Sequence, residues 1–359
     1  MSTRHSPASF PDPGLRNILT HLRRQLVDGD FKPGERLPTM RELAARYQVA
    51  GTTIQRCLQE LTAAGFLSTH GRNGTRVVDY PPHRHRYGLV LPELPELNGM
   101  YRKRHWQAMA VAARALSTGP ACHVEIFHGI NGHAQLTEHQ RLLNAIAEQR
   151  IAGLIVVDEN RIRDWLVPAT LSVPVVGVAL VPGHPAIGNL RLQLTSFLTT
   201  ALQEMARRKY QRPAVLMDGS ALYAVPTVRS VLTRLGLTWM PQHVLCLPTA
   251  NPGWAEHLIV SLFSAPASMQ PDALIVADEA VIPAVQKALR VHHRLPLPQI
   301  HMANLPLPSL ANQSANLSAL RLGWDHRVYL RSALAAIDAW HRDRRPIGDT
   351  DLPLEPISA

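Results

Sequence analysis

The chain has 359 residues, enough for two or three domains, and an ordinary 46% hydrophobic content. No apolar run reaches the roughly 18 residues of a membrane helix, the first 14 residues lack the apolar stretch of a secretory signal, and Cys57, Cys122 and Cys246 are too scattered for a metal pair or a disulfide framework; a cytoplasmic protein is expected, with no membrane partner. The net charge is +10, and residues 1–86 hold 13 Lys and Arg against 7 Asp and Glu, a surplus of six, while the other 273 residues supply four. A basic head on a nearly neutral body fits either a polyanion partner or a solvated basic face.

Residues 1–13 are read as a flexible arm. Leu15, Ile18, Leu19, Leu22 and Leu26 recur at helical spacing and Gly29 stops the pattern. Lys32-Pro33-Gly34 is a turn. Thr39-Met40-Arg41-Glu42 has the form of a capping box and opens a second short helix through Tyr47. A third helix, from Thr52 to Ala64, has Ile54, Leu58 and Leu61 as its inner stripe, with Thr52 expected as its cap because Ala50 cannot serve. Two β-prone segments, Phe66–Thr69 and Thr75–Val78, flank a hairpin tip at His70-Gly71-Arg72-Asn73-Gly74. Residues 14–79 therefore form one small domain, and 80–86, with two prolines, a stiff linker.

Beyond the linker, short continuous apolar runs recur at Gly88–Leu91, Val124–Phe127, Leu154–Val157, Val175–Val178, Ala214–Met217, Leu274–Val276 and Ile300–Met302, with helical patterns in most of the gaps. Strands without alternation are buried on both faces, as in parallel sheets covered by helices. Residues 87–348 are expected to be a doubly wound α/β body, long enough for two lobes, and 349–359 a tail, partly irregular after Pro346.

Three helices and a hairpin in about 70 residues give the pattern of a winged helix-turn-helix. The third helix must enter a major groove, and its outer face offers Thr52, Thr53, Gln55, Arg56 and Gln59, which can hydrogen-bond to bases or phosphates. Pro33-Gly34-Glu35-Arg36-Leu37-Pro38-Thr39-Met40-Arg41-Glu42-Leu43-Ala44, followed by Thr52-Thr53-Ile54, Gly65-Phe66-Leu67 and Gly74-Thr75, resembles the GntR family of bacterial regulators from about Leu15 to Val78. The resemblance implies a homodimer on a roughly palindromic double-stranded operator, most often as a repressor. By position it carries Arg41, Thr52, Thr53 and the wing residues His70 and Gly71 to the DNA; Thr39, Gln55, Arg56, Arg72 and Asn73 are further DNA-contact candidates by their own chemistry. Ala50-Gly51 and Gln55 depart from the family's usual Ser-Arg and Arg, so a distinct operator sequence is expected.

The body is similar to the LacI/GalR-type, periplasmic-binding-protein-like sensor in Tyr87-Gly88-Leu89-Val90-Leu91-Pro92, Gly153-Leu154-Ile155-Val156-Val157, residues 271–279 and residues 317–321. That likeness implies two parallel-sheet lobes with a small-molecule effector between them, a sugar being the family default. Tyr101, Asp158, Glu159, Tyr223, Asp278, Glu279 and Asn304 fall at the cleft, although the usual sugar-binding residues are poorly kept. A smaller antiparallel α/β sensor, a DNA-tethered enzyme and a body with a silent cleft stay open. No phosphate-binding glycine loop or nucleophile elbow occurs, and the pairs His83/His85 and His292/His293 lack ligand spacing, so no cofactor, metal or catalytic residue is expected.

Overall fold

The computed structural model describes residues 14–69, 71, 74–92, 104–130, 137–157, 172–177, 187–247, 253–294, 297–308 and 319–357. The head comprises α1 (Leu15–Asp28), α2 (Met40–Tyr47), α3 (Gly51–Ala63), β1 (Leu67–Thr69) and β2 (Thr75–Val77). Helical spacing turns Ile18, Leu22, Leu26, Leu43, Ile54, Leu58 and Leu61 into one buried core, closed by Tyr47 and Phe66. Helix α1 stops at Gly29 with φ +85°, a conformation that suits glycine. Both halves of the capping box at α2 are made: the Glu42 amide donates to Thr39 Oγ1 at 3.3 Å and the Thr39 amide to Glu42 Oε2 at 2.7 Å.

Helix α3 corrects one expectation. Its N-cap is Ala50, in extended conformation and without a side-chain cap, and Thr52 lies inside the first turn. The Ala50 carbonyl already accepts from the Thr53 amide, so the helix starts one residue before the threonine pair. The wing pairs Leu67 with Val77 and Thr69 with Thr75. Residues 35–37 flank it as a third edge through Leu37 N–H to Thr75 O and Val77 N–H to Glu35 O, both 2.9 Å. At Gly74, φ is +78°, a conformation that favours glycine; the Arg36 guanidinium lies close by, but it is flexible and can move aside.

The linker is not a solvated spacer. Pro82–His85 forms a short helix, α4, and Pro81, Pro82 and His83 are buried. The His83 ring stacks on Phe66 at 5.7 Å between centroids, joining head to body through packed rings rather than through chain stiffness alone.

The body contains two six-stranded sheets. Lobe 1 has the order β13-β7-β6-β5-β3-β4, from β3 (Arg86–Val90), β4 (His123–Phe127), β5 (Gly153–Val156), β6 (Val175–Gly177), β7 (Ile187–Arg191) and β13 (Thr350–Asp351). Lobe 2 has the order β14-β12-β11-β10-β8-β9, from β8 (Pro213–Asp218), β9 (Val244–Leu247), β10 (Ala273–Val276), β11 (Gln299–Leu305), β12 (Leu320–Asp325) and β14 (Glu355–Ile357). Every pairing is parallel except that of β14 with β12, which excludes the antiparallel sensor. Helices cover both faces, as the unalternated strands require. In lobe 1 α5 (Arg104–Leu116) and α11 (His326–Asp343) pack on one face and α6 (Thr137–Ala147) on the other. In lobe 2 α7 (Leu194–Arg207) and α8 (Val225–Arg234) oppose α9 (Trp254–Ser264) and α10 (Ile282–Val291).

The chain crosses between lobes after β7, between β12 and α11, and again from β13 to β14. The residues expected to be an irregular tail are thus edge strands, one added to each sheet. Arg191 anchors the first by donating from Nε to Asp351 Oδ1 at 2.7 Å.

Candidate DNA-binding surface and interlobe cleft

The apolar stripe of α3 fixes where its polar face must point. Ile54, Cys57, Leu58 and Leu61 are buried, which turns Thr52, Gln55, Arg56 and Gln59 outward to solvent, with Thr53 at the margin. Arg41, in the first turn of α2, is exposed and makes no hydrogen bond or ion pair among the described residues. Thr39 stands exposed beside it, its hydroxyl engaged with Glu42. Those hydrogen bonds from Thr39 hold the Glu42 carboxyl below the usual carboxylate range, so it stays ionised at the start of α2.

A groove of about 850 Å³ runs between α2, α3 and the wing, lined among others by Thr39, Arg41, Gln55, Gln59, Thr69 and Gly71. Residues of α2, α3 and the wing are thus brought to one concave face, of which the sequence reading named Thr39, Arg41, Gln55, Gln59 and Gly71. His70, Arg72 and Asn73 lie outside the described residues.

The two lobes meet where the start of α5 approaches the turn after β10, at Arg104 and Glu279, the region in which open α/β sheets place a ligand crevice. Of the residues expected there, Tyr101, Asp158 and Glu159 fall outside the described residues. Tyr223 ends up 67% exposed on a 3₁₀ turn. Asp278 accepts from the Ala280 amide at 2.9 Å and so caps the turn after β10. Glu279 and Asn304 are brought together: the Asn304 backbone and side-chain amides donate to Glu279 Oε2 at 3.2 and 3.3 Å.

Four further residues join this region that the sequence reading did not place in it. Arg104, at the start of α5, reaches Glu279 Oε1 at 3.3 Å from the other lobe, and Arg321 Nη2 lies 3.8 Å from the same oxygen. His105 Nδ1 and His326 Nε2 are 2.7 Å apart, and His326 Nδ1 is 2.9 Å from the Leu305 carbonyl. Burial pulls both rings down, to about 3 and about 4, so both are neutral at physiological pH. The sequence shows Arg102-Lys103-Arg104-His105 as a basic run before a helix, but nothing in it points to partners some 175 and 221 positions away.

Residues 15–77 match the family model described as "Bacterial regulatory proteins, gntR family". The chain is similar to the HTH-type transcriptional regulator Rv1152 of Mycobacterium tuberculosis, 39% identical over 69 residues, covering 18% of this chain and 57% of that protein. It is also similar to the HTH-type transcriptional regulator TauR of Rhodobacter capsulatus, 40% identical over 73 residues, covering 19% and 15%. Thus the chain spans little more than half of the first relative and a small part of the second. A transcriptional regulator described as a CelR-cellobiose complex superposes with TM-score 0.55 at 13% identity, over 96% of this chain and 98% of that one. A LacI family regulator from Arthrobacter sp. FB24, solved with lactose, gives TM-score 0.56 at 18% identity, over 77% and 98%. These two likenesses are of fold. Residues 15–77 are therefore a gntR-family helix-turn-helix domain, carried on a two-lobed body with the fold of LacI-family regulators.

Proposed function

We propose that the protein is a ligand-responsive transcriptional regulator, acting in the cytoplasm as a homodimeric repressor. Two heads place their α3 helices in successive major grooves of a roughly palindromic operator, about one helical turn apart. Thr52, Thr53, Gln55 and Arg56 face the bases and nearby phosphates, and Arg41 with Thr39 meets the sugar-phosphate chain. The observation that carries this reading is the exposed polar face of α3, beside an exposed arginine that makes no hydrogen bond or ion pair among the described residues. The wing loop around Arg72 and Asn73 supplies the adjoining contact.

A small metabolite received between the lobes changes their relation and hence the spacing of the heads. DNA affinity then shifts by the difference in the metabolite's affinity for the two states. Two structural neighbours were solved with disaccharides, which makes a sugar or related metabolite the first class to try. Glu279 is already saturated by four donors of this chain, and Asp278 is committed to its turn, so recognition falls to Asn304, Tyr223 and the loop residues Tyr101, Asp158 and Glu159.

A gel shift against the DNA upstream of the protein's own reading frame tests the regulator reading. A retarded complex that weakens steeply with salt is expected. Absence of any salt-sensitive complex would count against it. A thermal-shift screen of sugars, nucleosides and organic acids tests the sensor, since a specific ligand at 100 times its Kd stabilises by about 2.7 kcal/mol.

A further inference from the structure

Helix α5 packs in lobe 1, yet its first two side chains engage lobe 2. Arg104 Nε and Nη2 donate to Glu279 Oε2 and Oε1 at 3.4 and 3.3 Å, and Nη2 also donates to the Pro308 carbonyl. The two side chains are 12% and 1% exposed, so water screens the pair weakly. Within lobe 2, Glu279 is held in place by both amides of Asn304 and by Arg321. One position along, a second connection runs in parallel. The Leu305 carbonyl on β11 can only accept, so His326 carries its proton on Nδ1. Its Nε2 then accepts, and His105 Nδ1 donates. His326 is the first residue after the β12 crossover, so this relay links α5 to β11 through the hinge itself.

We propose that the first turn of α5 is a latch that holds the two lobes together through the chain's own side chains, with Arg104 to Glu279 as its main contact. Lobe closure then does not depend on an effector. On the reading of the cleft as a sensor, an effector acts by binding preferentially the state in which this bridge is broken, and the responsive change is an opening. The balance of groups supports a contact that can release. Without Arg104, Glu279 keeps two amide donors and the Arg321 guanidinium, so its buried charge is not abandoned when the lobes part.

Hydrogen exchange on the full-length protein, without DNA or added ligand, tests this. Arg104→Met keeps the aliphatic stem and removes the fork. Peptides spanning residues 104–116 and 299–308 are expected to exchange roughly tenfold faster in this variant, with the wing and the core strands β8 and β10 unchanged. Arg104→Lys should fall between Arg104→Met and the parent. Glu279→Gln also loosens the contacts of Glu279 with Asn304 and Arg321, so the test is the coupling: Arg104→Met should accelerate exchange far less in a Glu279→Gln background than in the parent, because the interlobe contact is already lost there. The proposal is overturned by unchanged exchange in both segments, by acceleration throughout the body, or by additive effects of the two substitutions. A gel shift on the same preparations keeps the regulator reading separate: its failure in the parent protein would leave the exchange result standing.

Discussion

Replacing Arg41 with alanine isolates the electrostatic part of the DNA contact. The side chain is exposed and makes no hydrogen bond or ion pair among the described residues. Its loss should change folding stability by no more than about 0.5 kcal/mol. The Thr39–Glu42 capping box that orients α2 remains, because none of its hydrogen bonds involves Arg41. A charge-assisted hydrogen bond to phosphate is worth roughly 1.5–3 kcal/mol, so each head should lose about 10- to 150-fold in affinity. One phosphate fewer per head also flattens the plot of log affinity against log salt by about 0.9, or about 1.8 for a dimer with two heads bound. Fluorescence anisotropy on a labelled operator between about 50 and 200 mM salt reads both quantities. Because the contact is to the backbone, specific and nonspecific duplexes should weaken together. An unchanged affinity and an unchanged slope would show that the N-terminus of α2 does not approach the DNA, and the groove between α2, α3 and the wing would lose its assignment.

Three further outcomes follow from the packing. Thr39→Ala removes the acceptor of the Glu42 amide and should lower the stability of the head by about 1 kcal/mol in chemical denaturation, with Thr39→Ser close to the parent. Gly323→Ala would set a Cβ 2.0 Å from the Ala303 carbonyl oxygen, between two paired strands of lobe 2; backbone cannot yield there as a flexible side chain would, and a loss of more than about 3 kcal/mol or failure to accumulate folded protein is expected. Burial also holds His83 at about 3 and His301 at about 4, alongside the neutral His105 and His326. All four take up protons on unfolding below the ordinary histidine value of 6.5, so stability is complete above that pH and is lost as pH falls toward about 4 for His301 and His326 and toward about 3 for His83 and His105. Each ring contributes a slope of about 1.4 kcal/mol per pH unit in that window. Denaturation midpoints that stay flat from pH 7 to 5 would contradict the neutral burial of these rings.

The head was readable because its determinants are local. The Leu15 to Leu26 spacing, the Thr39–Glu42 box and the turn glycines each act within a few residues, and together they place the polar face of α3. Most strands of the body were legible as apolar runs for the same reason, whereas β7 and β12, whose runs are broken by Asn189 and Arg321, β9, which is only half-buried over most of its length, and the edge strands β13 and β14, too short to show a pattern, were not. Proline count made residues 80–86 look like a spacer, but the stacking of His83 on Phe66 depends on where two domains meet. The cleft was least legible. Glu279 and Asn304 follow from the likeness of their segments to LacI/GalR-type sensors, while Arg104 and His326 acquire their roles from lobes that fold far apart in sequence. Tyr223 shows the converse: its position after β8 is right for a cleft mouth, and its ring still stands mostly in solvent.

The central claim is that the outward face of α3 reads base edges. Selection of binding sites from a randomised duplex pool, run in parallel for the parent protein and for Gln55→Ala, tests it most directly. A palindromic parental consensus is expected, relaxing in the variant at one position in each half-site, where a glutamine would pair with adenine, while the remaining positions are kept. An identical consensus from both proteins, or no consensus from either, would contradict it.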